Sequence, residues 1–491
     1  MQVRERELSG PASAGGHGGE GEKIGAIWKT IAKREILHNL YSLRFLLSLV
    51  LVIGVMAAGS LSYGRRQAAA LANYREARAE SIKTMREDAQ ITATRLATRP
   101  RPFDLRPRDD GFIDDAKEKY LPNAIIYSAF NVFSVRSTNR SANPLLAKYD
   151  ELTWAFVAAL LVSFVALLFT FDAVSGEKEA KTLSLELANP VPRSALLGGK
   201  YASAVASVTA IVAVGAIVSL LILVATGAAA LGGATALEAA AFVAAAALLA
   251  AVMAAFGLLC SVAARSSNVS LLLALCVWLL VAVVIPNSSG FIAKTAFPIE
   301  KAEAVQKKVD KAFDDLNKAA PPGSWMSQSN NPFLPQHELR ANLQRKRLEA
   351  EKAIRDDYYR SMFRQFERTR HVTAVSPAAS FGYVAEALVG GGYARFRKAW
   401  DGMHAYQGQF QQWFVALDAK DPKSPHWYNP NEDISTTREK VSFEVVPQFE
   451  ERPMSAGERG RAALPYAAVM AAMACLAYAA AYGLFIRYDV R

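Results

Sequence analysis

Six stretches of this chain run for at least twenty residues without a single Asp, Glu, Lys or Arg. They lie between Arg44 and Arg65, Glu151 and Asp172, Lys200 and Glu238, Glu238 and Arg265, Arg265 and Lys294, and Arg461 and Arg487. With 21% charged residues overall, a given twenty-residue window would be free of charge by chance only about 1% of the time. An ordinary soluble domain is therefore excluded, and 52% hydrophobic residues exclude a disordered chain. A bilayer core takes roughly 20 apolar residues per helix. The gaps accordingly predict spans at 44–63, 152–171, 201–226, 237–264, 269–285 and 462–486. The third and fourth are rich in alanine and are separated by the interruption Thr226-Gly-Ala-Ala-Ala-Leu-Gly-Gly233.

Lys and Arg close to span ends set orientation, counted over short loops. With the N-terminus cytoplasmic, Lys29, Lys33, Arg34 and Arg44 precede the first span on the inside. Lys178, Lys181, Arg193 and Lys200 fall inside between spans two and three, Arg265 between four and five, and Arg487 and Arg491 after six. The short outer loop between spans three and four carries neither Lys nor Arg. The two long polar segments, about 65–151 and 286–461, then face away from the cytoplasm.

The formal charge of +11 does not point to nucleic acid. Residues 65–151 hold 16 basic and 12 acidic side chains and residues 286–461 hold 26 and 22, a mixture that reads as solvated helical surface. Helices are expected over about 78–97, 300–317, 338–369 and 392–416, and a single short strand over Ser442–Val446. The aromatics Phe396, Trp400, Tyr406, Phe410, Trp413 and Phe414 recur mostly at three- and four-residue steps. They read first as the outer domain's own core and second as a surface for an envelope partner. Glu238, at the outer end of span four, reads as an interfacial residue rather than a proton relay.

Catalytic signatures are missing from the sequence. There is no Gly-x-x-x-x-Gly-Lys-[Ser/Thr] phosphate loop, no His-Glu-x-x-His and no Gly-x-Ser-x-Gly. The six histidines show no paired ligand spacing, and Cys260, Cys276 and Cys475 all fall inside apolar stretches. No metal site and no enzyme activity of this chain are expected.

The most informative stretch runs from Phe171 to Lys200. It reads as a short helix capped by Ser175, with Glu177 and Glu179 near its positive end, closed at Asn189-Pro190 and followed by a turn from Arg193. Ser175, Gly176, Glu177, Lys178, Glu179, Thr182, Leu183, Pro190, Val191, Arg193, Leu197, Gly199 and Lys200 resemble the cytoplasmic signature of the type-2 ABC exporter permeases. Lys181 stands where many members have Gly. Residues 24–43 are similar to the elbow helix before the first span of such permeases. Ile24, Ile27, Ile31 and Leu37 lie on its apolar side, and Trp28, Lys29 and Arg34 suit a membrane interface. Val375–Gly392 and Val446-Pro-Gln-Phe449 resemble a subfamily with a large insert between spans five and six, near gliding-motility and copper-enzyme-maturation permeases.

The resemblance implies an all-α polytopic membrane protein of six spans, an elbow helix and a mainly helical extracytoplasmic part. The expected division is a disordered cytoplasmic tail 1–23, the elbow helix 24–43, span 44–63, an extracytoplasmic segment 64–151 and span 152–171. A cytoplasmic coupling segment 172–200 follows, then spans 201–226, 237–264 and 269–285, an extracytoplasmic helical domain 286–461, span 462–486 and a cytoplasmic tail 487–491. The implied function is that of the permease subunit of an ATP-driven exporter or extractor in a bacterial inner membrane. It would pair with an identical or sister permease. A cytoplasmic ABC ATPase dimer, which itself binds ATP and Mg, would dock on Ser175, Gly176, Glu177, Lys178, Glu179, Lys181, Thr182, Leu183 and Arg193. Membrane lipid and an envelope partner of the outer domain complete the expected contacts. The alternative is a non-transporting scaffold or mechanotransmission subunit whose outer domain binds that envelope partner.

Overall fold

The computed structural model describes residues 30–488, apart from 117, 119–120, 138–151, 189–190, 231, 323, 325–330, 332 and 433. The N-terminal tail, Trp28 and Lys29, and Pro190 of the signature lie outside the described residues.

In chain order the elements are α1 (residues 30–40), α2 (Leu43–Ile91), α3 (Ala93–Thr98), β1 (Arg101–Asp104), β2 (Ala124–Tyr127), β3 (Ser134–Arg136) and α4 (Trp154–Leu168). Next come α5 (Ser175–Glu179), α6 (Leu183–Ala188), α7 (Arg193–Ala225), α8 (Gly233–Ala263), α9 (Ser267–Asn287) and α10 (Ser289–Ala296). The chain ends with α11 (Ala302–Lys318), α12 (Pro335–Thr373), α13 (Pro377–Leu388), α14 (Gly392–Asp418) and α15 (Ala456–Ile486).

Among the described residues five helices are long and apolar enough to cross a membrane: α2, α7, α8, α9 and α15. Each covers one of the expected spans to within a residue. The remaining expected span, 152–171, appears as α4, which at 1.5 Å per residue is only about 22 Å long. Its hydropathy is spent on protein rather than lipid, for Trp154, Ala155, Val157, Ala158, Val162, Val165, Ala166 and Leu167 are all buried against the other helices. α4 contains a π-helical turn at Ala158–Val162, and α9 contains another at Leu279–Val284. Trp278 Nε1 donates to Ser163 Oγ at 3.0 Å and ties the two helices together.

The bundle packs mainly through α8 on α15, α2 on α7 and α7 on α8. α8 and α15 run parallel: their N-terminal ends meet through Glu238 and Arg459, 2.6 Å apart, and their C-terminal ends meet through Val262 and Phe485 in a common apolar cluster. The short apolar helix α13 belongs to the bundle as well. Phe381, Val384 and Ala385 are buried in the bundle core, and the Phe381 ring lies 5.9 Å from that of Phe242 on α8.

Beyond the N-terminal ends of α8 and α15 the two long polar segments fold together into one head. α2 continues straight out of the bundle, 49 residues in one helix and so about 74 Å long. Its last turns meet a three-stranded antiparallel sheet in the order β1-β2-β3, with Arg101 opposite Tyr127 and Ala124 opposite Arg136. Met85, Ala89, Leu96, Phe103, Ile125, Tyr127, Phe130 and Phe133 from the first segment share a core with Phe363, Phe396, Trp400, Met403, Tyr406, Phe410 and Phe414 from the second. Those aromatics are thus the head's own core, with Trp413 packed at its edge. The segment expected as a strand is instead a 3₁₀ turn at Phe443–Val445. Among the described residues no strand lies beside it to complete a ladder; the stretch leading into it makes two backbone bonds to the end of α2 and the start of α3, Val441 N–H to Ala89 O at 3.0 Å and Ala93 N–H to Glu439 O at 2.8 Å. The strands that do form are three or four residues long, too short for an alternating pattern to register.

Candidate functional site

At the end of the bundle opposite the head, the chain leaves α4 through residues 169–174, makes the two short helices α5 and α6, and enters α7. α5 is not capped by its own Ser175. Ser261 on α8 does the capping: its hydroxyl accepts the N–H groups of Val174 and Ser175 at 2.9 and 3.0 Å, so a side chain from a bundle helix satisfies N–H groups at the start of α5. Ser175 itself is buried and donates its hydroxyl to Phe171 O at 2.9 Å. Gly176 faces the Ser267 hydroxyl across van der Waals distance.

The three charged residues of α5 point at three different helix ends. Lys178 Nζ donates to the carbonyls of Val262 and of Ala264, the latter at 3.0 Å, at the C-terminus of α8. The Glu179 carboxylate accepts the Ser267 N–H at the start of α9 at 3.0 Å, and that bond holds its carboxyl below the ordinary value. Glu177 pairs with Lys200 on α7, whose ammonium also lies 3.8 Å from Glu35 of α1. Burial raises the Glu177 carboxyl above its usual value, the Lys200 ammonium countering only part of the effect. Arg193 Nη1 reaches Phe485 O at 3.2 Å, Ile486 O at 2.6 Å and Tyr488 O at 3.3 Å. Lys178 and Arg193 therefore place cations on the unsatisfied carbonyls of two parallel helices, where the helix dipoles favour positive charge.

Lys181, between α5 and α6, adopts φ +58°. This left-handed conformation suits Gly and costs an L-residue roughly 1–2 kcal/mol, which accounts for the Gly found at this point in the resembling permeases. Thr182 N–H closes the turn onto Glu177 O at 3.0 Å. Leu183 is buried with Leu196, Leu197, Leu258, Val262 and Phe485. What remains facing outward is Glu179, Ala180, Lys181, Thr182, Ser184, Ala188 and Leu185, the last 69% exposed.

Helix α1 lies against this site through Gly199, where an added Cβ would stand 2.6 Å from Ile31 Cγ2. Only glycine admits so close an approach. Arg34 is exposed on α1. Sequence reasoning overlooked Glu35, Ser261 and Ser270, the last of which donates its hydroxyl to Phe171 O. Glu35 could have been noticed as the lone acid among the basic residues of α1, but nothing local to Ser261 or Ser270 announces a contact some ninety residues back along the chain.

The family model for the ABC-2 family transporter protein matches residues 29–399, most of the chain and all of the site just described except the C-terminal end of α15 and Tyr488. The chain belongs to the ABC-2 transporter family. It is accordingly a multi-pass membrane protein and a permease of the ABC-transporter class, a family that associates with ABC ATPases. No curated protein matches the sequence. The ABC-2 match runs from α1 through α13 into α14, so it takes in the head's long helices as well as the α5–α6 segment.

Proposed function

We propose that this ABC-2 protein is the membrane subunit of an ATP-driven exporter or extractor in a bacterial inner membrane. It works as a pair with an identical or sister permease, and cytoplasmic ATPase subunits dock on residues 172–200. Both termini and the α5–α6 segment face the cytoplasm, six crossings are made with α4 as the second, α1 is the elbow helix, and the head lies outside.

One observation carries the reading. The α5–α6 segment offers Lys181, Thr182, Ser184 and Leu185 outward, while Lys178 and Glu179 of α5, with Arg193 at the start of α7, grip the ends of α8, α9 and α15. A push on the outer surface is thereby delivered to three long helices at once.

The same geometry supports a second reading, a subunit whose output is mechanical rather than transport. α8 and α15 connect the site directly to the Glu238–Arg459 pair beneath the head. Uptake of cargo into sealed vesicles separates the two, since only the first reading predicts ATP-dependent accumulation. Sidedness is tested by single cysteines at Ser184 and at Lys308, an exposed residue of the head. The proposal requires an impermeant maleimide to reach Lys308→Cys from outside and Ser184→Cys only after the membrane is opened; the opposite pattern overturns it.

A further inference from the structure

Helix α12 does not stop where the head meets the bundle. Just past its end, the Ser376 hydroxyl donates to the Val281 carbonyl, within the π-helical turn of α9. Val281 lies six residues before the end of α9 at Asn287, which puts Ser376 about 9 Å below that end at 1.5 Å per residue. The ring of Tyr383 on α13 lies 4.9 Å from that of Tyr466 on α15, so α13 is sunk to a matching depth on the other side of the bundle. The last turns of α12 therefore stand within the height of the membrane helices.

The outward face of those turns is graded. Arg364, Arg368, His371 and Val372 are all exposed and recur at helical spacing on one side of α12, with Glu367 at their edge accepting the Tyr393 hydroxyl at 2.7 Å, and Val375 is exposed in the turn just past the helix end. Val372 is 43% and Val375 63% exposed, and both lie below the level of Asn287. Arg368 stands about 12 Å above Ser376 and Arg364 about 18 Å above it, at and beyond the end of α9. α10 extends the same face. It follows directly on α9, is held to α12 by Gln365 Nε2 donating to Ala293 O at 3.1 Å and Phe297 O at 2.7 Å, and presents Phe291, 72% exposed, beside Lys294. Among the described residues no side chain or carbonyl accepts a hydrogen bond from the heads of Arg364 or Lys294, and Arg368 contacts only the Phe297 ring, 6.0 Å away.

We propose that this face is a seat for bilayer phospholipid. Acyl chains lie against Val372 and Val375, and the guanidinium and ammonium groups of Arg364, Arg368 and Lys294 take up the phosphates above them, with the Phe291 ring at the level of those cations. Two observations single out lipid rather than another protein: the depth set by the Ser376–Val281 bond, and the order of the side chains, apolar below and cationic above, which matches the order of a leaflet. Charge-assisted bonds to phosphate oxygens would satisfy donors that the protein leaves free. The inference requires only that the chain sits in a bilayer, so it stands whether or not an ATPase docks on α5–α6.

The test uses full-length protein with Cys260, Cys276 and Cys475 replaced by Ala, reconstituted in vesicles containing phosphatidylglycerol. Nitroxide labels on Val375→Cys, Val372→Cys and Lys308→Cys are compared for collision with oxygen and with a water-soluble nickel chelate. The proposal predicts an oxygen-to-nickel ratio several-fold higher at Val375 and Val372 than at Lys308. Equal ratios at all three would overturn it, as would labels at Val375 and Val372 shielded from both reagents, the mark of a protein partner. For the phosphate contacts, the Arg364→Gln, Arg368→Gln double variant should keep its fold and retain less phosphatidylglycerol after purification, with phosphatidylethanolamine unchanged. Unchanged retention of both lipids would remove the assigned role of the two arginines.

Discussion

Glu177 and Glu179 are two residues apart and carry the same charge, yet a substitution at each means something different. Glu177 is largely enclosed and paired with Lys200, so Glu177→Lys sets two ammonium groups together in a partly buried site. Breaking such a pair is strongly destabilising, because the remaining charge is left uncompensated. Glu179 is exposed and accepts one N–H, and its reversal should cost at most about 1 kcal/mol. We therefore predict that Glu177→Lys lowers the yield of folded protein while Glu179→Lys does not, read by size-exclusion profile and thermal melting in detergent. Only the second then probes the segment in an intact fold. Lys181→Gly should stabilise, since it relieves the left-handed conformation at φ +58°; a gain of about 1 kcal/mol is expected, seen as a higher melting temperature. In the head, burial raises the Asp114 carboxyl to about 8. Its unfolded value is the lower one, so the folded state binds the extra proton between roughly pH 4 and 8, and stability from this group falls as pH climbs through that window. Asp114→Asn, which copies the neutral form, should raise the melting temperature more at pH 9 than at pH 5. An equal gain at both would show that the carboxyl titrates normally.

At the level of elements, α8 and α15 are the pieces that join the site to the head. They run side by side, with Lys178 and Arg193 on their C-terminal carbonyls and Glu238 bound to Arg459 near their N-termini. Arg459 also donates to Leu388 O at 3.1 Å, which brings the end of α13 into the same joint. A double-mutant cycle with Glu238→Gln and Arg459→Met should give a coupling energy of about 1–2 kcal/mol, between the values for exposed and buried pairs; additive losses would mean that the pair does not hold the joint. The long charge-free runs announced every helix of the bundle except α13, because hydrophobic length is what a lipid environment selects. They overstated α4, since hydropathy does not distinguish a side chain facing lipid from one facing protein. Nor did they reveal that Pro377–Leu388 is sunk into the bundle: a twelve-residue apolar run reads equally as core of the head. Within the signature, pattern located the segment, but which of Glu177, Lys178 and Glu179 face inward depends on contacts with α7, α8 and α9 that sequence order does not convey.

The whole molecule is a bundle with a gripped segment at one end and a head at the other, joined by α2, by the α8–α15 pair and by the hairpin of α12 and α13. The sequence placed two polar segments around the bundle, and their union in one aromatic core depends on contacts such as Phe130 with Phe414 and Tyr127 with Tyr406, hundreds of residues apart. In the proposed reading, force or conformational change enters at α5–α6 and leaves through the head. That requires the ATPase to touch the gripped segment and nothing at the opposite end. The most direct measurement places a photo-crosslinking residue at Leu185 in one protein and at Lys308 in another, each co-expressed with its partner ABC ATPase. The account predicts an adduct with the ATPase from Leu185 and none from Lys308. An adduct from Lys308, or none from Leu185 in a complex that still co-purifies, would contradict it.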